Sequence, residues 1–458
     1  MRASALKVDR TKLPVPGGVR AFAFPSIEKS TLSNGLRVWT VPHTAVPVVN
    51  FSLLVRRGAA DDPPGKEGLA AIAVDMLDEG SGGRSAIEMH EALAAIGAHL
   101  ESDIGSDAAV LGTTVLSRFA AEALVLLGDF AVRPSLTAED FARVRRLRLT
   151  RLTQLRDMPG AVADRALVRL LYGSHPYGHT PLGTEGALER LTIDDVRAFH
   201  AGLIRPAEAV LITVGSCEHE AIVRLAEGAF ERWEGAADRA QPAPGAISQA
   251  VRLAVVPRAG APQSELRIGQ IGASRSSPDY HALVAANLVL GGQFVSRVNL
   301  NLREDKGVTY GARTAFDFRR LPGPFTLNVS VDTNATALAI AESLAEIAAI
   351  RGPRPVTAEE LALGVATLTR GYARGFETAE QVARAVTQIA LYDLPDSYFA
   401  DFVPAIERLT PEEVTRAAAA YLEPSKLTTL VVGDIEAIRD DIARVGLGDP
   451  VVLPAETL

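Results

Sequence analysis

Apolar residues recur along this chain in two rhythms, alternate positions and every third or fourth, which divide it into short strands and amphipathic helices. Thr31-Leu32-Ser33-Asn34-Gly35-Leu36-Arg37-Val38 sets an Asn-Gly turn between two β-prone runs and predicts a hairpin, and Val46 to Arg56 is a further strand-like run. Small and apolar residues from Leu69 to Leu77, entered through Gly65-Lys66-Glu67-Gly68, predict a buried helix. A helix over about Ala86 to Ile96 should stop at Gly97, followed by strands near His99 to Leu116 and amphipathic helices at Ala120 to Ala131 and Ala138 to Asp157. Far downstream, Gly291 to Gly311 predicts a helix bearing Arg303 and then a glycine-hinged turn into a strand, with Tyr310 at the turn.

The pattern repeats. Leu188-Glu189-Arg190-Leu191-Thr192-Ile193-Asp194-Asp195-Val196 returns 218 residues later as Ile406-Glu407-Arg408-Leu409-Thr410-Pro411-Glu412-Glu413-Val414. Each copy reads as a helix start, with Thr192 or Thr410 as N-cap and an acid three residues on. At the same offset Pro206 matches Pro424 and Gly215 matches Gly433, bracketing the apolar strands Ala209 to Val214 and Thr428 to Val432. Two copies of one α+β unit are expected, at 20–234 and 250–445, joined by a Pro/Gly/Ala linker at 235–249 and facing each other across a cleft suited to an extended ligand.

Composition narrows the partners. The chain has 458 residues, a net charge of -8 and no uninterrupted apolar run of the length a membrane span needs, so neither nucleic acid nor a membrane is an expected partner. The single cysteine, Cys217, excludes an internal disulfide and a cysteine metal cluster. The first twenty residues do not read as a secretory signal, so a cytoplasmic location is expected, or a periplasmic one if a leader has been removed.

Candidate chemistry is sparse. His175 and His179 flank Pro176 and Gly178, which makes a turn and reads as a structural loop rather than a zinc pair. His90 and His99 read as surface histidines, Asp75, Asp78 and Glu79 as solvated acids at a helix end, and Cys217, beside Glu218 and His219, as lacking the third group that nucleophilic catalysis requires. Arg303 offers a planar fork of donors for a carboxylate or peptide carbonyl, and Tyr310 one hydroxyl donor. By itself that stretch reads first as a capped surface helix with a solvated Arg-Glu-Asp-Lys end.

Leu32-Ser33-Asn34-Gly35-Leu36-Arg37-Val38, then Gly58-Ala59-Ala60-Asp61-Asp62-Pro63-Pro64-Gly65-Lys66-Glu67-Gly68-Leu69-Ala70, and later Leu302-Arg303-Glu304-Asp305-Lys306-Gly307-Val308-Thr309-Tyr310-Gly311 resemble, in order and spacing, the pitrilysin and mitochondrial-processing-peptidase family of inverted-zincin peptidases. The resemblance implies two homologous domains, each an antiparallel sheet with helices on one face, arranged as a clamshell. It also implies an H-x-x-E-H zinc motif directly after Gly68-Leu69-Ala70, completed by a distant glutamate. Here those slots hold Ala71, Val74 and Asp75, and counting back from Asp157-Met158-Pro159 puts the glutamate slot at Arg151, with Arg145, Arg146 and Arg148 nearby.

The zinc motif is thus erased while the Arg303/Tyr310 segment stands. The resemblance then implies a zinc-lacking subunit of a heterodimeric metallopeptidase, inactive alone and holding no cofactor itself. A homologous partner carries the zinc, and this chain supplies Arg303 and Tyr310 in trans to a peptide substrate. The alternative is a non-catalytic scaffold of the same fold. Because Gly291-Gly292-Gln293-Phe294 is short where the family's presequence-processing subunit has a long glycine-rich loop, a general peptidase partner of bacterial type is the better match.

Overall fold

The Asn-Gly turn forms where the sequence places it. In the computed structural model, which describes residues 11–12, 22–235 and 251–455, Glu28–Thr31 (β1) pairs antiparallel with Arg37–Pro42 (β2), and the Asn34 carboxamide oxygen accepts the Leu36 N–H at 3.1 Å. Val48–Val55 (β3), Glu101–Ile104 (β4), Ala109–Leu116 (β5) and Ala209–Gly215 (β6) complete a sheet of order β1-β2-β6-β3-β5-β4. A second sheet contains Leu253–Pro257 (β7), Gln263–Ile271 (β8), Ala312–Phe316 (β9), Pro324–Asp332 (β10), Thr428–Gly433 (β11) and Val451–Val452 (β12), in the order β9-β10-β8-β11-β7-β12. Read from its other edge, the second sheet repeats the first in five strands; the edge strand differs, being the N-terminal β1, antiparallel to β2, in one and the C-terminal β12, parallel to β7, in the other.

Pairing is mostly antiparallel. The exceptions are β6, parallel to β2, and its counterpart β11, parallel to β7, with β12 also parallel to β7. Each of β6 and β11 arrives after a long helical excursion, and only such a crossover lets a strand enter a sheet parallel to its neighbour. The repeat accounts for that arrival. Thr192 and Thr410 cap the helices Ile193–Leu203 and Pro411–Tyr421 through reciprocal boxes with Asp195 and Glu413, and one tight turn in each copy, Pro206–Glu208 or Pro424–Lys426, leads into β6 or β11. Apart from Gly235, the expected linker at 235–249 lies outside the described residues, and the second sheet extends past residue 445 through β12.

Four helices position the site and cover the sheets: Leu69–Asp75 (α1), Ala138–Arg156 (α2), Pro159–Tyr172 (α3) and Ala379–Tyr392 (α4). On the first sheet, Val38, Phe51, Leu53 and Leu211 face the unit's own helices, packing with Leu124, Phe130 and Phe230. Residues of opposite parity, Trp39, Leu54, Ile212 and Val214, pack against Val382, Val386 and Ile389 of α4, which comes from the second half. The second sheet mirrors this. Val255 and Val431 face its own core, whereas Ala254, Val256, Leu430 and Val432 meet Val162, Leu167 and Leu171 of α3 from the first half. Both faces are therefore apolar, which is why the strands are nearly continuous runs of hydrophobic residues.

Polar contacts follow the same exchange. Arg56 at the end of β3 grips Asp393 just past α4 with two bonds of 2.9 and 2.6 Å, and Arg267 of β8 grips Asp164 of α3 at 2.6 Å. The helical stretch Tyr280–Asp305 is long and apolar enough to cross a membrane by length and composition, which the count of uninterrupted apolar residues did not register. Its Val289, Leu290, Val298 and Leu302 are fully engaged in the core of the second sheet.

Candidate functional site

The lead-in to α1 is built by one buried carboxylate. Asp62 accepts the Gly68 N–H and the Ala70 N–H at 2.6 Å each, satisfying amides at the start of α1, and a 3.0 Å contact with His179 Nε2 holds it from outside. Gly68 takes φ +100°, and a Cβ there would lie 2.9 Å from Leu188 and 3.0 Å from the Gly183 backbone. The glycine is required by backbone conformation and close approach. Asp61 binds Arg57 at 2.8 Å and the Gly58 N–H at 2.9 Å; burial pushes its carboxyl up and those bonds oppose the shift.

Within α1, Ala71 and Val74 are buried at 0% and 3% exposure. Asp75 accepts a 2.7 Å bond from Arg148 Nε of α2, so the residue of α2 that reaches the motif helix is Arg148; Arg151, one turn on, is exposed. Burial raises the Asp75 carboxyl above its ordinary range, and the Arg148 guanidinium pulls it back. The neighbouring acids are not merely solvated, as their sequence positions suggested: Glu79 binds Arg143, and Asp78 lies 3.2 Å from His90. Arg143 and Arg148 of α2 meet Glu79 and Asp75, a tertiary pairing that local sequence does not announce. A zinc ion does not fit here, because Ala71 and Val74 carry no donor atom and the remaining carboxylate is held by a guanidinium. Among the described residues no group of three or more His, Cys, Asp or Glu side chains is arranged to hold a metal ion.

The other singled-out residues are structural. His175 is buried against the rings of Tyr172 and Tyr177, and its Nδ1 accepts the Tyr177 N–H at 3.0 Å. His219 contacts Ser30 Oγ at 2.7 Å and Thr40 Oγ1 at 2.6 Å through its two ring nitrogens, so it does not activate Cys217, whose thiol burial pushes up to about 11. His99 pairs with Glu101 at the surface at 3.1 Å.

The Arg303 segment is more open. Leu288–Gly292 and Leu300–Asp305 wind as wider π-helical turns, which re-aim the side chains they carry, and Gly307 at φ +65° ends the second as the Val308 N–H returns to Leu302 O at 3.0 Å. The Arg303 side chain is 15% exposed; its Nε and Nη2 donate to Glu304 Oε1 at 2.9 and 2.6 Å, and its guanidinium carbon lies 3.4 Å from the centre of the Phe294 ring. Thr309 donates to Ser330 O at 2.7 Å and pins the turn, leaving Tyr310 97% exposed. Neither Phe294 nor Glu304 stood out in the sequence. Phe294 lies in the loop at 293–296 and Arg303 in the π turn beyond it, so no helical spacing relates the two in sequence.

Two family descriptions match this chain: Insulinase (Peptidase family M16) over residues 37–185 and Peptidase M16 inactive domain over 190–368. An uncharacterized zinc protease of Streptomyces coelicolor is 26% identical over 314 residues, covering 67% of this chain and 68% of that one. A probable mitochondrial-processing peptidase subunit beta of Schizosaccharomyces pombe is 26% identical over 290 residues, 60% of this chain and 62% of its own. Among solved structures, a peptidase M16 inactive domain from Pseudomonas fluorescens superposes with a TM-score of 0.81 at 25% identity, covering 89% of this chain and 98% of that one.

Proposed function

The chain belongs to the M16 peptidase family, and from that premise we propose that it is the zinc-lacking subunit of a two-chain metallopeptidase, closing over a homologous zinc-bearing chain and acting with it on peptides. One contrast carries the reading. The slots that would bind metal are filled by Ala71, Val74 and the Asp75–Arg148 ion pair, whereas Arg303 and a wholly exposed Tyr310 hydroxyl remain on an anchored turn. In this reading Arg303 holds a peptide carbonyl or terminal carboxylate, and Tyr310 donates its O–H to the oxyanion that develops at the scissile carbonyl. The extended peptide adds as a strand to an exposed sheet edge.

The test uses the pair co-purified from the native source, with each chain and the mixture assayed on peptides. Activity is expected in the mixture only. Removing one oxyanion donor costs about 2.7–4 kcal/mol, so Arg303→Ala and Tyr310→Phe should each lower turnover roughly a hundred- to a thousand-fold without unfolding the chain. Unchanged turnover in both variants would leave the scaffold reading, and near-stoichiometric zinc in this chain alone would overturn both.

A further inference from the structure

The loop between the two π-helical turns exposes Phe294 and Val295 at 70% and 48%, a large apolar surface for one short loop. It is firmly held. Asn299 Nδ2 donates to Gln293 O and Ser296 Oγ at 3.1 Å each, its Oδ1 accepts the Ala312 N–H at 2.8 Å, and Thr367 donates to the Gln293 side chain at 3.0 Å. The loop is thus held on both sides of Phe294, and the Arg303 guanidinium stacks on the ring with its carbon 3.4 Å from the ring centre. Glu304 takes the Nε–Nη2 edge of that guanidinium, and Nη1 has no hydrogen bond to protein among the described residues.

We propose that Phe294 is the positioning and specificity residue of this site, and that the ligand it selects is a peptide segment in which a carboxylate adjoins a bulky apolar side chain, most simply a C-terminal phenylalanine. The inference rests on the reading that Arg303 binds peptide. Phe294 stacks on the guanidinium and Glu304 takes its Nε–Nη2 edge, which leaves the Nη1 donors for a ligand. A carboxylate takes those donors while the adjoining side chain covers the remaining ring surface and removes it from water. A small side chain gains only the first contact.

Fluorescence anisotropy with the full chain and short fluorescein-labelled peptides ending in Ala-Phe or Ala-Ala, each with a free or an amidated C-terminus, tests this. The free Ala-Phe peptide should bind tightest, with a preference over Ala-Ala of roughly five-fold from partial burial of one aromatic side chain. That preference should vanish in Phe294→Ala and persist in Phe294→Tyr, while the preference for a free over an amidated terminus should vanish in Arg303→Ala. A Phe-over-Ala preference that survives Phe294→Ala overturns the inference and leaves Arg303 as the carboxylate ligand. A carboxylate preference that survives Arg303→Ala overturns the reading beneath it. Failure of every labelled peptide to bind overturns the inference.

Discussion

At the scale of single residues, an ion pair between Asp75 and Arg148 ties α1 to α2. Asp75→Ala strips the anion from Arg148, whose side chain is 13% exposed, and should destabilise the chain by about 1 kcal/mol, a modest figure because Asp75 is partly in solvent. The double variant Asp75→Ala/Arg148→Ala should cost less than the sum of the two single changes, which urea unfolding of all three would show. His200 makes stability depend on pH. Burial lowers its pKa below the ordinary 6.5 while its ring contacts Ala131 O at 2.9 Å, so the folded state favours the neutral ring and the unfolded state takes the proton more readily. Stability is therefore fully present above that value and falls as the pH drops through the lower folded one. Denaturation midpoints at about pH 8 and about pH 5 should separate less in His200→Gln than in the parent, with His175 and His281, shifted the same way by burial, supplying the residual slope. Identical pH dependence in both proteins would refute the assignment.

At the scale of elements, the sequence made the hairpin, α1, the Thr-capped repeat and β6 with β11 legible, because each is set by local chemistry: an Asn-Gly turn, an apolar run, a capping box. Arg148 stood in the sequence only as a basic neighbour of Arg151, and its pairing with Asp75 was not legible because a helix count fixes a face only when its partner is known. Phe294 was missed because it lies in a loop between helical turns, where helical counting does not apply. The glycines before α1 provide an element-scale test. Gly68→Ala meets a left-handed backbone together with Leu188 and Gly183, and should cost about 2–4 kcal/mol, whereas Gly65→Ala, at φ +81° with nothing within 4 Å, carries the backbone strain of about 1–2 kcal/mol alone. Thermal melts of the two variants rank them; equal shifts would remove the close-packing explanation. Gly68 serves packing and Asp62 capping, which holds the lead-in to α1 in shape.

At the scale of the whole molecule, neither half closes its own sheet. Amphipathicity marks α3 and α4 as helices with one apolar face, but it cannot say which sheet that face will meet. Residues 22–235 and 251–455 produced separately should expose the rows around Trp39 and Ile212, and around Val256 and Leu430, bind a hydrophobic dye and aggregate; produced together they should assemble and unfold in one transition. Two halves that are separately soluble and dye-silent would contradict this. The exchange also bears on descent. Helices α3 and α4 stand at matching places in the repeat, and each covers the other's sheet, so two copies of a single half could satisfy both faces by the same trade about a twofold axis. Joining such copies end to end turns an ancestral swapped dimer into one chain without altering a contact at the interface, and from then on each copy can gain or lose its chemistry independently of the other.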